Sequence, residues 1–126
     1  MHTNGGTHHL REYEAVRMQI ALAGIDTERE PTPQYRVFYR INILNHRQRS
    51  VRLLGRKWML TDASGDTRIV EAAHVFNEEP VLGPGEVFSW SGSQVFRRYP
   101  VRMELRLFGT DHAGHAFITP ALNVPL

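Results

Sequence analysis

Apolar and polar residues alternate one for one along 101–107. Val101, Met103, Leu105 and Leu107 fall on one side of an extended chain, and Arg102, Glu104 and Arg106 on the other. A period of two is the pattern of a β-strand with one buried and one wet face, and a helix of period 3.6 does not produce it. The same period returns at 35–45, where Tyr35, Val37, Tyr39, Ile41 and Ile43 predict a core-facing set. At 14–25, Val16, Met18, Ile20 and Leu22 alternate with Arg17, Gln19 and Ala21. Ala and Met also favour helices, but the clean alternation and the following Gly24 select a strand.

The stretch from Leu53 to Gly92 extends this reading to the middle of the chain. A strand at 51–61 carries Trp58 on the same face as Arg56 and Leu60, and it ends at the turn Asp62-Ala63-Ser64-Gly65. Asp bonds readily to turn backbone, and Gly supplies positive φ. A fourth strand follows at 67–75, then a break at Pro80 and a corner at Gly83-Pro84-Gly85. A fifth strand spans Glu86 to Trp90, and the segment from Gly92 to Pro100 reads as irregular. After 101–107, the hairpin loop 110–114 leads to a last strand at 115–118, which Pro120 and Pro125 confine to an edge. Strands separated by turn signals about every ten residues predict an all-β, fibronectin-III- or immunoglobulin-like sandwich. About seven antiparallel strands are expected, with Trp58 as a core anchor.

A chain of 126 residues suffices for one two-layer domain. Residues 1–12 are polar, contain His2, His8 and His9, and read as a disordered tail ahead of a domain at 13–126. The absence of cysteine removes disulfides, thiolate nucleophiles and Cys-based zinc sites. No apolar run approaches the roughly 20 residues that cross a bilayer as a helix. Residues 1–15 lack the apolar segment of a secretory signal, so a cytoplasmic location without membrane association is expected.

Catalytic patterns are missing. The chain has no G-x-S-x-G elbow, P-loop or H-E-x-x-H motif. His112 and His115 flank a hairpin tip beside Asp111, but zinc needs three or four converging ligands, and an Asp in that place is ordinary turn chemistry. No metal and no cofactor are expected. The basic residues comprise fourteen arginines and Lys57 within a formal net charge of only +2. His46, Arg47, Arg49, Arg52, Arg56 and Lys57 form the densest basic run. Nucleic-acid binders interleave such runs with exposed aromatics, whereas the aromatics here sit mainly on the core-facing set. A pyrophosphate, an acidic protein surface or no specific ligand would each account for the run. An acidic protein surface or no specific ligand is favoured, and nucleic acid is not expected.

Several motifs together resemble the ApaG domain. They are Arg56-x-Trp58-x-x-Thr61-Asp62-x-x-Gly65, then Glu79-Pro80-Val81-Leu82-x-Pro84-Gly85-Glu86-x-Phe88, then Ser91-Gly92 and a closing Pro120-x-Leu122. The resemblance spans roughly 16–126 and implies a fibronectin-III-like sandwich. It marks Trp58, Asp62, Gly65, Pro80, Pro84 and Gly85 as structural positions. ApaG domains stand alone in bacteria and serve as partner-binding modules in larger eukaryotic proteins, including F-box adaptors. Bacterial members are linked by name and gene neighbourhood to diadenosine polyphosphate turnover and divalent cation efflux. The family usually carries Gly-x-Gly-x-x-Gly before the Glu-Pro corner. Here those glycines are replaced by Ala72, His74 and Asn77, and a Cβ at such positions keeps phosphate away from the backbone amides.

The resulting expectation is a non-catalytic protein-interaction module, with a phosphate- or nucleotide-binding protein as the alternative. An anion site would have to use side chains alone, drawn from Arg52, Arg56, Lys57 and His74. Adjacent strand residues face opposite ways, so Arg56 and Lys57 cannot both reach one ligand. The N-terminal strand, 14–24, lacks proline and inward charge, and a weak homodimer through that edge is also expected.

Overall fold

The alternating stretches build two antiparallel sheets. The computed structural model describes residues 11–12, 16–29, 31–73 and 79–126. Among these, the strands are β1 (Arg11–Glu12), β2 (Arg17–Glu28), β3 (Gln34–Leu44), β4 (Val51–Asp62) and β5 (Thr67–Ala72), followed by β6 (Val81–Leu82), β7 (Val87–Phe96), β8 (Pro100–Thr110), β9 (Ala116–Ile118) and β10 (Leu122–Pro125). The larger sheet runs β1-β9-β8-β4-β5, with β10 also on β8 and β6 also on β4, and the smaller runs β2-β3-β7. All pairs are antiparallel except β1 with β9. This is the sandwich that the alternation predicts, with β1, β6 and β10 as short additions. The chain contains no helix long and apolar enough to cross a membrane among the described residues. Residues 1–10 of the expected tail lie outside them, and its last two residues form β1.

The core lies between the sheets. Val37, Ile41, Ile43, Leu53, Leu105 and Leu107 are fully buried. Trp58 on β4 is likewise inaccessible to solvent, and its ring packs against Tyr39 on β3 at 5.0 Å between centroids. This contact joins the sheets at mid-height. Burying so large an apolar ring stabilises by about 2–3 kcal/mol.

One expectation needs correction. The segment after Gly92 is not irregular: β7 continues through it to Phe96, paired with β3 as far as Tyr35. A Cβ on Gly92 would lie 2.8 Å from the Tyr39 hydroxyl. Glycine stands there because another side chain closes over the strand, and it does not interrupt the ladder. The expected fourth strand is described as far as Ala72, and its remainder to Val75 falls largely outside the described residues.

At one end of the sandwich, the chain is tied together by Asn45, which is completely buried. Its Nδ2 donates to the carbonyls of Arg49 at 2.8 Å and Leu82 at 2.9 Å, and its Oδ1 accepts from the Arg47 amide. Its backbone bonds to Glu86 and Gly85 across the corner. Gly85 has φ +77°, a value that disfavours any side chain. One buried amide thus fastens the β3–β4 loop to the Gly83–Gly85 corner. Thr119 has a comparable role between β9 and β10. Its Oγ1 accepts from the Leu107 amide, and its own amide donates to the Leu107 carbonyl. The ladder is thereby carried to the edge of Pro120, which has no amide proton to offer.

Candidate functional site

The basic run singled out in the sequence is dispersed by the fold. Arg52 points outward and lies 3.8 Å from Glu79. Lys57 is on the same outer face, in register with Glu71 and Arg106. Arg56 turns inward beside Trp58, and its charge acts on the Tyr39 hydroxyl. Burial pushes that hydroxyl's pKa above its usual value, opposed by the Gln94 side chain and by Arg56. The indole N–H of Trp58, also next to Tyr39, has no acceptor in hydrogen-bonding geometry among the described residues. His74 lies outside the described residues. Strand alternation sets Arg56 on the opposite face from Lys57, and the register shift between Leu53 and Gly55 puts Arg52 on the Lys57 side.

The hairpin tip that suggested metal ligands is occupied by its own turn. Asp111 Oδ1 accepts from the amides of Ala113 and His115, each at 2.9 Å, and Oδ2 lies 3.4 Å from His115 Nδ1. These bonds, the His115 amide foremost, hold the Asp111 carboxyl below the ordinary aspartate range. No group of three or more His, Cys, Asp or Glu side chains suited to a metal occurs among the described residues.

A different cationic cluster forms at the opposite end, where both sheets stop. A cleft of about 680 Å³ opens between the β4–β5 turn and the β7–β8 link. It is lined by Arg68, Arg97 and Arg98 with Asp62, Asp66 and Gln34. The Arg68 guanidinium crosses from the larger sheet and donates to the Val95 carbonyl on β7. Arg98 lies 3.8 Å from Asp66. Asp62 is taken up by the turn, accepting from the Ser64 amide at 2.9 Å and from its hydroxyl. The Ser64 hydroxyl is the main cause that lowers the Asp62 pKa. Of the two carboxylates, one is thus committed to a turn and the other neighbours Arg98. Arg97 and the outer parts of Arg68 and Arg98 remain available to a ligand of negative charge.

Sequence reasoning missed this cluster because Arg68 is far in the chain from Arg97 and Arg98. Arg97-Arg98 occupies the stretch read as irregular, and Arg68 is a core-side position of an edge strand, opposite Leu60. The adjacency of Arg97 and Arg98 was the available signal.

The fold and the cleft define a small two-sheet sandwich whose most accessible chemistry is cationic and side-chain based. The ApaG domain family profile matches residues 26–104. The chain is 32% identical over 103 residues to the protein ApaG of Pectobacterium carotovorum, covering 81% of this chain and 82% of that one. It is 37% identical over 83 residues to the protein ApaG of Maricaulis maris, covering 64% of each. The chain belongs to the ApaG domain family. Among solved structures, it superposes on a structural-genomics X-ray target with a TM-score of 0.78 at 22% identity, over 89% of this chain and 87% of that one. It superposes on the putative ApaA protein of Bordetella pertussis with a TM-score of 0.72 at 19% identity, over 93% and 95%. Both likenesses concern the fold.

Proposed function

We propose that this protein is a non-catalytic interaction module of the ApaG type that binds an acidic protein partner. The observation that carries the reading is the cleft where Arg68 of β5 and Arg97 and Arg98 of the β7–β8 link converge at an exposed end. Planar guanidinium groups engage carboxylates in pairs and lose less solvation than ammonium groups on doing so. Exposed charges of this kind steer association and set specificity more than they supply affinity, which suits a partner of extended surface rather than a small ligand. The test is affinity capture from the native host with the wild-type chain and with Arg68→Glu, Arg97→Glu and Arg98→Glu combined. A partner retained by the wild type and lost by the folded triple variant supports the reading, and equal retention sinks it.

The nucleotide alternative makes a separate forecast. Ala72 stands where the family usually has a glycine, and Arg56 and Lys57 face apart. Binding of ATP, pyrophosphate or a dinucleoside polyphosphate at physiological salt is therefore expected to be no tighter than about millimolar, about −4 kcal/mol. A micromolar constant by titration calorimetry, abolished in Arg56→Ala, would put nucleotide binding first.

A further inference from the structure

The smaller sheet has two edges, and they differ. The edge expected to be open from the sequence, β2, carries a bulge between Leu22 and Gly24, with Gly24 at φ +148°. It also carries the charged residues Arg17, Asp26 and Glu28. A bulge and charges are devices that discourage pairing with another chain. The other edge, β7, has the sequence VFSWSGSQVF: ten residues with no charge and no proline. No described strand pairs with it on the side away from β3.

The direction of its backbone groups follows from two bonds. The Glu86 carbonyl, just ahead of β7, accepts from the Asn45 amide on the β3 side, whereas the Val95 carbonyl accepts from Arg68 on the opposite side. Backbone groups alternate in direction along an antiparallel strand. The N–H and C=O of Val87, Ser89, Ser91, Ser93 and Val95 therefore point to the outer edge. Arg68 covers only the Val95 end. Ser89 and Ser91 are exposed, and Val87 is 56% exposed.

We propose that β7 is a docking edge, to which an extended acidic segment of a partner protein adds as a fourth strand along Val87–Ser93. This rests on the interaction-module reading and says where and how the partner binds. Strand addition takes its affinity from backbone pairing and its specificity from alternate side chains. On the outer face, those side chains meet arginine. Arg36 and Arg40 on β3 are in register with Val95 and Ser91, and Arg36 donates to the Ser93 hydroxyl. Arg40 stands in a row with Ala21 and Ser91, neither of which is charged. An added strand lies about 10 Å from β3, two strand spacings away. Between Val87 and Val95 the outer-face side chains of β7 are serines, and the small Ser91 opposite Arg40 lets that long guanidinium arm reach across. On the inner face, alternate side chains lie beside Phe88 and Trp90, so the fitting segment alternates acidic and apolar residues. A second copy of this chain fits less well, because an added β7 is uncharged and brings no acidic side chain toward Arg36 and Arg40.

The test uses the full chain and a labelled synthetic peptide of alternating Glu and Val, with alternating Lys and Val and an N-methylated Glu–Val peptide as controls. Fluorescence anisotropy is expected to show binding of the first peptide only, with amide protection gained at Ser89 and Ser91 in hydrogen exchange. Ser91→Pro removes one outward donor without touching the β3 ladder and should weaken binding about tenfold. Binding of the N-methylated or Lys–Val peptide with equal strength would overturn the proposal, and the N-methylated control holds even if Ser91→Pro misfolds. Protection elsewhere, or concentration-dependent self-association that protects β7 instead, would also overturn it. If a host partner is captured through Arg68, Arg97 and Arg98 but the peptide fails, edge docking falls while the module reading stands. If no partner is captured in any form, the module reading itself falls.

Discussion

The two ends of the sandwich are both built on polar side chains bonded to loops, yet they hold the chain in different ways. At one end, Asn45 is fully buried, with every bond internal to the protein and three chain segments depending on it. At the other, Asp62, Asp66 and Arg98 make turn bonds and a long ion pair in contact with water. Water replaces a lost bond at the exposed end and cannot do so at the buried one, where a broken bond leaves carbonyls without a partner. The buried end is expected to govern stability, which leaves the exposed end free for recognition.

The largest effect provides the scale for this contrast. Trp58 lies between the two ends, and Trp58→Ala is expected to cost about 3–5 kcal/mol in urea denaturation, as for other large aromatic core deletions. Asn45→Ala should follow closely, at about 2–3 kcal/mol, because it leaves the Arg49 and Leu82 carbonyls unsatisfied. A loss no greater than that of an exposed substitution would break the comparison at its stronger term.

Asp66→Asn removes the partner of Arg98 at the exposed end, and its cost should fall between about 0 and 1 kcal/mol. The same variant frees Arg98 and should not weaken partner capture. A loss comparable to that of Asn45→Ala would show that the exposed end also carries stability.

The smallest effect is a dependence on acid. Asp111 and Asp62 have pKa values lowered by native hydrogen bonds. Their stabilisation is present above the unfolded-state pKa and is lost as pH falls through the folded one. The difference in melting temperature between wild type and Asp111→Asn should therefore narrow as pH drops below about 4. A difference that widened on acidification would contradict the assignment of those bonds.

How far the sequence could be read depended on whether the relevant forces were local. Alternation at 35–45 and 101–107 is a local consequence of one buried and one wet face, so the strands, their core sides and the sandwich class were legible without coordinates. The turn at Asp62–Gly65 was legible for the same reason, since Asp, Ser and Gly act there on their own backbone. The continuation of β7 past Gly92 was not, because it depends on a tyrosine from another strand closing over the glycine. Nor was the arginine cleft, which brings Arg68 of β5 beside Arg97 and Arg98 of the β7–β8 link. The bulge in β2 is a further case: it interrupts the edge that the lack of proline and inward charge had marked as open, whereas β7 is the uncharged edge. By itself the sequence determined the period, the turns and the family to which the chain belongs. Only tertiary structure decided which arginines meet, which polar groups lose their water and which edge stays open, because these depend on contacts between residues distant in the chain.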